Sequence, residues 1–176
     1  MKKLVILGFG GFGRTIEDVV ISAKLFDEIV FLDDNVIDEK VLGKCTDFKK
    51  FISEDTWFYP AFGNNNLRIE WMNIMRSNGA KIATIIHPTA YIGRNTEIGE
   101  GCVILQNAVI NTTSVIKSGC IVNFGAVIDH DVIIEKGVHL CINSAVKSHN
   151  RIPPFAKIEA GQVIFNNTFK RESKNE

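Results

Sequence analysis

The sequence predicts an α/β unit with a small parallel sheet, followed by a parallel β-helix of hexapeptide repeats. Three observations carry this. A glycine cluster, "GFGGFGR", follows a short apolar run near the start of the chain. Up to about residue 85, strand-like apolar runs alternate with helical ones, which implies a parallel sheet with helices on its faces. From Ile86 to Ile164 every sixth residue is aliphatic, without a slip. A helix of period 3.6 cannot hold such a stripe on one face, and a half-buried strand would alternate with period 2. Period six fits a prism of short parallel strands, one hexad to a side, with the aliphatic residue pointing inward. The expected domains are 1–85 and 86–168, with a charged, flexible tail over 169–176.

Taken in order, the start "MKKLVILGFGGFGR" resembles a signal peptide only in its two lysines and apolar run. The run stops at glycines and no small-residue cleavage site follows, so it reads as a first strand. Helix is expected from about Thr15 to Leu25. "EIVFLDDN" is a second strand ending in acids, "DFKKFI" a short helix, and "TWFYPAFG" a third strand. "NNNLRIEWMNIMRSNG" is a helix closed by Gly79, and "KIATII" is the last strand before the repeats.

Within the repeats, four residues after each aliphatic comes a mostly small one that lets the chain turn a corner, such as Ala90, Cys102, Ala108 and Ser114. Three hexads make a coil, so residues 18 apart stack. Cys102 is then expected beneath Cys120, with Val138 above, as small apolar corner residues.

The totals exclude several functions. Lys and Arg number 20 and so do Asp and Glu, giving zero net charge and no general pull toward nucleic acid or anionic membrane. No apolar run approaches the roughly 20 residues of a membrane span. The four cysteines lack C-x-x-C pairing and are expected as reduced thiols of a cytoplasmic protein. No histidines and cysteines have structural-zinc spacing, so no metal is expected.

Gly8-x-Gly10-Gly11-x-Gly13 fits the dinucleotide fingerprint of a Rossmann-like unit, with Asp33 about 20 residues further on. Alone this favours NAD. The α/β half, however, is only about half of the double unit that holds a dinucleotide. A smaller ligand with one pyrophosphate fits better, its phosphates on backbone N–H groups and its ribose or base near Asp33 or Asp34.

His130 stands between Asp129 and Asp131, with His139 nine residues on. Both histidines fall off the inward stripe and so face outward. Nine residues is half a coil, so the two can share a site only between subunits. A β-helix without a lid has no pocket of its own, so an enzyme built this way must be an oligomer. His87 reads as structural, and His149, in a polar turn, has no assigned role.

Together, "GFGGFGR", "FLDDN", "FGNNNLR", "IIHPTAYIG" and "NFGAVIDHDVIIEKGVH" resemble the family of sialic acid O-acetyltransferases and UDP-4-amino-sugar N-acetyltransferases. The resemblance covers nearly the whole chain. It implies a trimer of left-handed parallel β-helices that binds acetyl-CoA between neighbouring coils. It makes His130 the general base with Asp131 as its partner, a role in which the adjacent Asp129 ranks lower. It places His139 and Ser148 on the acetyl-CoA side. Gly10, Gly11, Phe12, Asp33, Asp34 and Asn123 become substrate-binding residues for a nucleotide-linked sugar. The chain departs from the family at Phe12, where histidine is frequent, and in its glycine-poor last coils. The implied activity is acetyl-CoA-dependent N-acetylation of a UDP-4-amino-4,6-dideoxy sugar for surface glycans. O-acetylation of a sialic acid and a non-catalytic nucleotide-binding scaffold are the alternatives.

Overall fold

The computed structural model describes residues 1–165. The tail expected over 169–176, and the end of the second domain over 166–168, lie outside the described residues. The chain divides into two compact units, Met1–Ile85 and the chain from Ile86 onward.

The first unit runs β1 (Lys3–Leu7), α1 (Gly11–Ser22), β2 (Glu28–Leu32), a 3-10 helix (Cys45–Phe51), β3 (Thr56–Pro60), α2 (Asn65–Ser77) and β4 (Lys81–Ile82). Its strands pair in parallel in the order β2-β1-β3-β4. Val5, Leu7, Val30, Leu32 and Phe58 meet Phe48, Met72 and Met75 in a core. Helix α1 buries Ile16, Val19 and Val20, the spacing of one helical face. Helix α2 begins at Asn64, whose side chain accepts from the Leu67 N–H at 3.0 Å. The chain leaves β1 for β2 on one side while β3 lies on the other. The turns after β1 and β3 therefore flank the point where strand order reverses, where such sheets bind ligands.

Two expected boundaries shift. Helix α1 starts at Gly11, four residues before Thr15, so two glycines sit in its first turn. Gly13 is there because a Cβ would collide with the Gly8 carbonyl oxygen. "KIATII" is not one strand: Lys81–Ile82 pairs with β3, while Ile85–Ile86 opens the β-helix. The apolar run is continuous, but the two halves serve different sheets.

The second unit has three faces. One is formed by β5 (Ile85–Ile86), β8 (Val103–Ile104), β11 (Ile121–Val122), β14 (His139–Leu140) and β17 (Lys157–Ile158). The next comprises β6 (Tyr91–Ile92), β9 (Val109–Ile110), β12 (Val127–Ile128), β15 (Ala145–Val146) and β18 (Val163–Ile164). The third comprises β7 (Glu97–Ile98), β10 (Val115–Ile116), β13 (Ile133–Ile134) and β16 (Arg151–Ile152). Partners are 18 residues apart throughout, for example Ile116 with Ile134. The second residue of each strand forms the interior: the stripe is buried from Ile104 to Ile164, and Ile86, Ile92 and Ile98 are partly buried against it.

Each hexad also carries one residue at positive φ, every sixth position from Asn95 to Gly161. Glycine or asparagine fills most of these, as left-handed backbone favours. One corner, Asn95–Thr113–Asp131–His149, has no glycine at all. The corner cysteines are more than small apolar fillers. Cys102 donates to the Lys117 carbonyl and Cys120 to that of Glu135, each at 3.1 Å. Thr96 and Ser114 make the same bond 15 residues ahead, at 3.2 and 2.7 Å.

Candidate active site

His130 and Asp131 lie at the glycine-free corner, between β12 and β13. His130 Nδ1 is 2.7 Å from Asp131 Oδ2, so the ring N–H donates to the carboxylate and Nε2 keeps a lone pair. Thr113 Oγ1 donates to the other oxygen, Oδ1, at 2.8 Å. The hydrogen bond to Asp131 raises the His130 pKa above its ordinary value. The bonds from His130 and then Thr113 hold Asp131 below the usual carboxylate range. A fixed tautomer with a carboxylate behind it is the arrangement that makes a histidine an oriented base.

Asp129 begins the corner, directly after β12 ends at Ile128. Its Oδ1 accepts the His130 backbone N–H at 2.8 Å and Asn111 Nδ2 at 3.2 Å, and Oδ2 accepts the Ser148 N–H at 3.3 Å. These bonds, chiefly that from His130, lower its pKa. Asp129 thus ties three successive coils together at this corner and lies 4.0 Å from His130 Nε2.

Asn123 and His139 form a second pair. Asn123 Nδ2 is 3.4 Å from His139 Nε2, and Asn123 Oδ1 accepts the Phe124 N–H at 2.8 Å. His139 belongs to β14, on a different face from β12 and β13. Sequence reasoning missed Asn111, Thr113 and His149. All three were signalled by the 18-residue stack, since Thr113 and His149 flank Asp131 in it and Asn111 underlies Asp129. The His149 ring meets His130 edge-on, with centroids 5.3 Å apart and planes at 87°.

In the first unit, Gly10 and Gly11 are exposed at the start of α1, where an added Cβ would meet nothing within 4 Å. No side chain caps this helix end and its first turn holds no acid. Phe12 is half-buried and packs edge-on to Tyr59 at 6.3 Å. Asp33 is committed to the fold: Oδ2 accepts the Phe9 N–H at 2.8 Å, and Oδ1 accepts from Asn35 and Val36 at 2.8 and 3.0 Å. Partial burial opposes its charge, but these three bonds win and lower its pKa. Asp34 accepts the Cys45 N–H at 3.0 Å and borders a shallow cavity of about 440 Å³ with Val36, Gly43 and Lys44. Buried Arg68 braces the turn after β3, donating to the Phe62 carbonyl and Asn65 Oδ1, both at 2.9 Å.

A Rossmann-like unit with an open glycine turn, followed by a left-handed parallel β-helix with a histidine–aspartate pair at a corner, is the architecture of the hexapeptide-repeat acyltransferases. Residues 3–75 match the PglD N-terminal domain family. The fold superposes on the acetyltransferase domain of PglB from Neisseria gonorrhoeae FA1090, with a TM-score of 0.88 and 30% identity over 93% of this chain and 82% of that one. The same domain in complex with acetyl coenzyme A gives 0.87. A perosamine N-acetyltransferase from Caulobacter crescentus, in complex with CoA and GDP-perosamine, shares the fold at 22% identity and a TM-score of 0.79, over 94% of this chain and 89% of that one. A UDP-N-acetylbacillosamine N-acetyltransferase from Bacillus subtilis (strain 168) is 32% identical over 114 residues. That match spans 60% of this chain and 52% of the relative, about half its length. The chain belongs to the family of this PglB acetyltransferase domain.

Proposed function

We propose that the protein transfers an acetyl group from acetyl-CoA to the amine of a UDP-linked 4-amino-4,6-dideoxy sugar destined for surface glycans. The observation that carries this is the 2.7 Å contact between His130 Nδ1 and Asp131 Oδ2, which leaves Nε2 as acceptor at an exposed corner. As the sugar nitrogen attacks the thioester carbon, Nε2 takes a proton from that nitrogen. The C–S bond then breaks, and the CoA sulfur leaves with the proton that His130 returns. Asp131 stabilises the imidazolium formed in between, and Thr113 fixes Asp131. His139 and Ser148 serve acetyl-CoA, and Asn123 serves the acceptor.

The nucleotide part belongs to the first unit, with its diphosphate against the open N–H groups at Gly10 and Gly11 beside Phe12. Asp33 has both oxygens engaged, so Asp34 is the better placed of the two acids to meet a ribose or base. The N-acetyltransferase name of the Bacillus subtilis relative supports N- over O-acetylation. A homotrimer is supported by the outward residues of the β6-β9-β12-β15-β18 face, Tyr91, Val109, Val127, Ala145 and Val163, which are all apolar. Four buried thiols support a cytoplasmic location.

The test is a panel of UDP-amino sugars and sialic acids offered with acetyl-CoA, following release of the CoA thiol. Release with a UDP-4-amino sugar is expected. Release only with sialic acids would replace this reading by O-acetylation.

A further inference from the structure

We propose that His130, Asp131 and His149 form a binding site for a divalent transition metal such as Zn²⁺, and that its occupancy switches the transfer off. One ring nitrogen from each histidine and a carboxylate oxygen of Asp131 lie within 4.8 Å of one another. Two imidazoles and a carboxylate are ligands that zinc accepts, with the fourth position left to water or substrate.

The β-helix itself creates the cluster. Asp131 and His149 occupy the same corner position in successive coils, 18 residues apart, with φ of 56° and 59°. Stacked strands run about 4.8 Å apart, so the two side chains project side by side. His130, next in the chain to Asp131, turns its ring edge-on to His149. Outer support is in place, since Thr113 holds Asp131 Oδ1 at 2.8 Å and leaves Oδ2 toward the rings. The His130 and Asp131 side chains are 42% and 44% exposed and His149 is exposed, so an ion can reach them.

Tetrahedral bonds of about 2.1 Å set donors about 3.4 Å apart, so the 2.7 Å contact between His130 and Asp131 must open slightly. A metal on Nδ1 sends the ring proton to Nε2 through solvent. A metal on Nε2 takes that lone pair directly. Either way His130 loses the lone pair that accepts the substrate proton. The inhibitory consequence rests on the base assignment above, whereas the metal site does not.

The test uses untagged protein, freed of metal by chelation, titrated with Zn²⁺ by calorimetry and with Co²⁺ by visible absorption. One ion per chain is expected in the wild type. His149→Asn keeps a residue suited to positive φ and should weaken binding at least about tenfold, since even outer-sphere changes cost roughly 10–100-fold. Measured against its own metal-free rate, transfer by this variant should resist zinc. No binding by the wild type, or equal binding by His149→Asn, overturns the site. Binding that needs His149 but leaves transfer unaffected supports the site and overturns the assignment of His130 as base.

Discussion

A histidine serves as a base only while one nitrogen is unprotonated and aimed at the acceptor. Asp131 secures the aim but also raises the His130 pKa, so more of the ring is protonated in slightly acidic solution. The rate should therefore rise with pH through a value above the ordinary 6.5 of a histidine. Asp131→Asn removes the charge that raises it, and the acid limb of kcat/KM should move to lower pH while the maximal rate falls. A limb that stays in place in that variant would mean the two groups are not coupled. His130→Ala should lower the rate by about 10²–10⁴-fold, or roughly 3–5 kcal/mol of barrier. Its circular dichroism and nucleotide affinity should be unchanged, because His130 lies off the buried stripe. Near-normal turnover would place the base elsewhere. The His130–Asp131 pair was legible because neighbours in sequence stay neighbours at a corner. His149, a lone histidine in a polar turn, carried no local signal, and only the 18-residue stack that sets it beside Asp131 could have found it.

Secondary elements show the same division. The six-residue stripe gave away the inward residue of every β-helix strand, because that placement follows from the period. The period does not reveal which corner residues donate hydrogen bonds, so Cys102 and Cys120 read as small apolar residues and proved to hold carbonyls as well. In the first unit the fingerprint glycines read as one motif, but the structure separates their work. Gly13 has no room for a Cβ against the Gly8 carbonyl, whereas Gly10 and Gly11 face open space. Gly13→Ala should destabilise the fold by about 1–3 kcal/mol, as overpacking does, in urea unfolding. Gly11→Ala should leave unfolding unchanged and weaken nucleotide-sugar binding in calorimetry, because its methyl group would occupy the space left for the phosphates. Equal effects of the two variants on stability would mean that the open glycines have a packing role.

At the scale of the whole molecule, the β6-β9-β12-β15-β18 face poses a problem that one chain does not solve. Tyr91, Val127 and Val163 are 58%, 41% and 43% exposed in a row of outward apolar side chains. A soluble protein rarely leaves such a stripe to water unless a partner covers it. A second copy is the economical cover, because His130 follows directly on β12 and a neighbour against this face would wall in its corner. The same association would let His139, half a coil away, reach a shared cleft. Val127 is the middle rung, so Val127→Asp would bury a charge in an apolar interface at the cost of no buried core contact. Light scattering should show a trimer for the wild type and a smaller species for Val127→Asp. The variant should keep its β-rich circular dichroism, since Ile128 still fills the interior, and should bind nucleotide sugar through its first unit. It should nevertheless lose most acetyl transfer, because His130 would face open solvent. A monomeric Val127→Asp with full turnover would show that one chain holds the complete site, and the apolar face would then need another explanation.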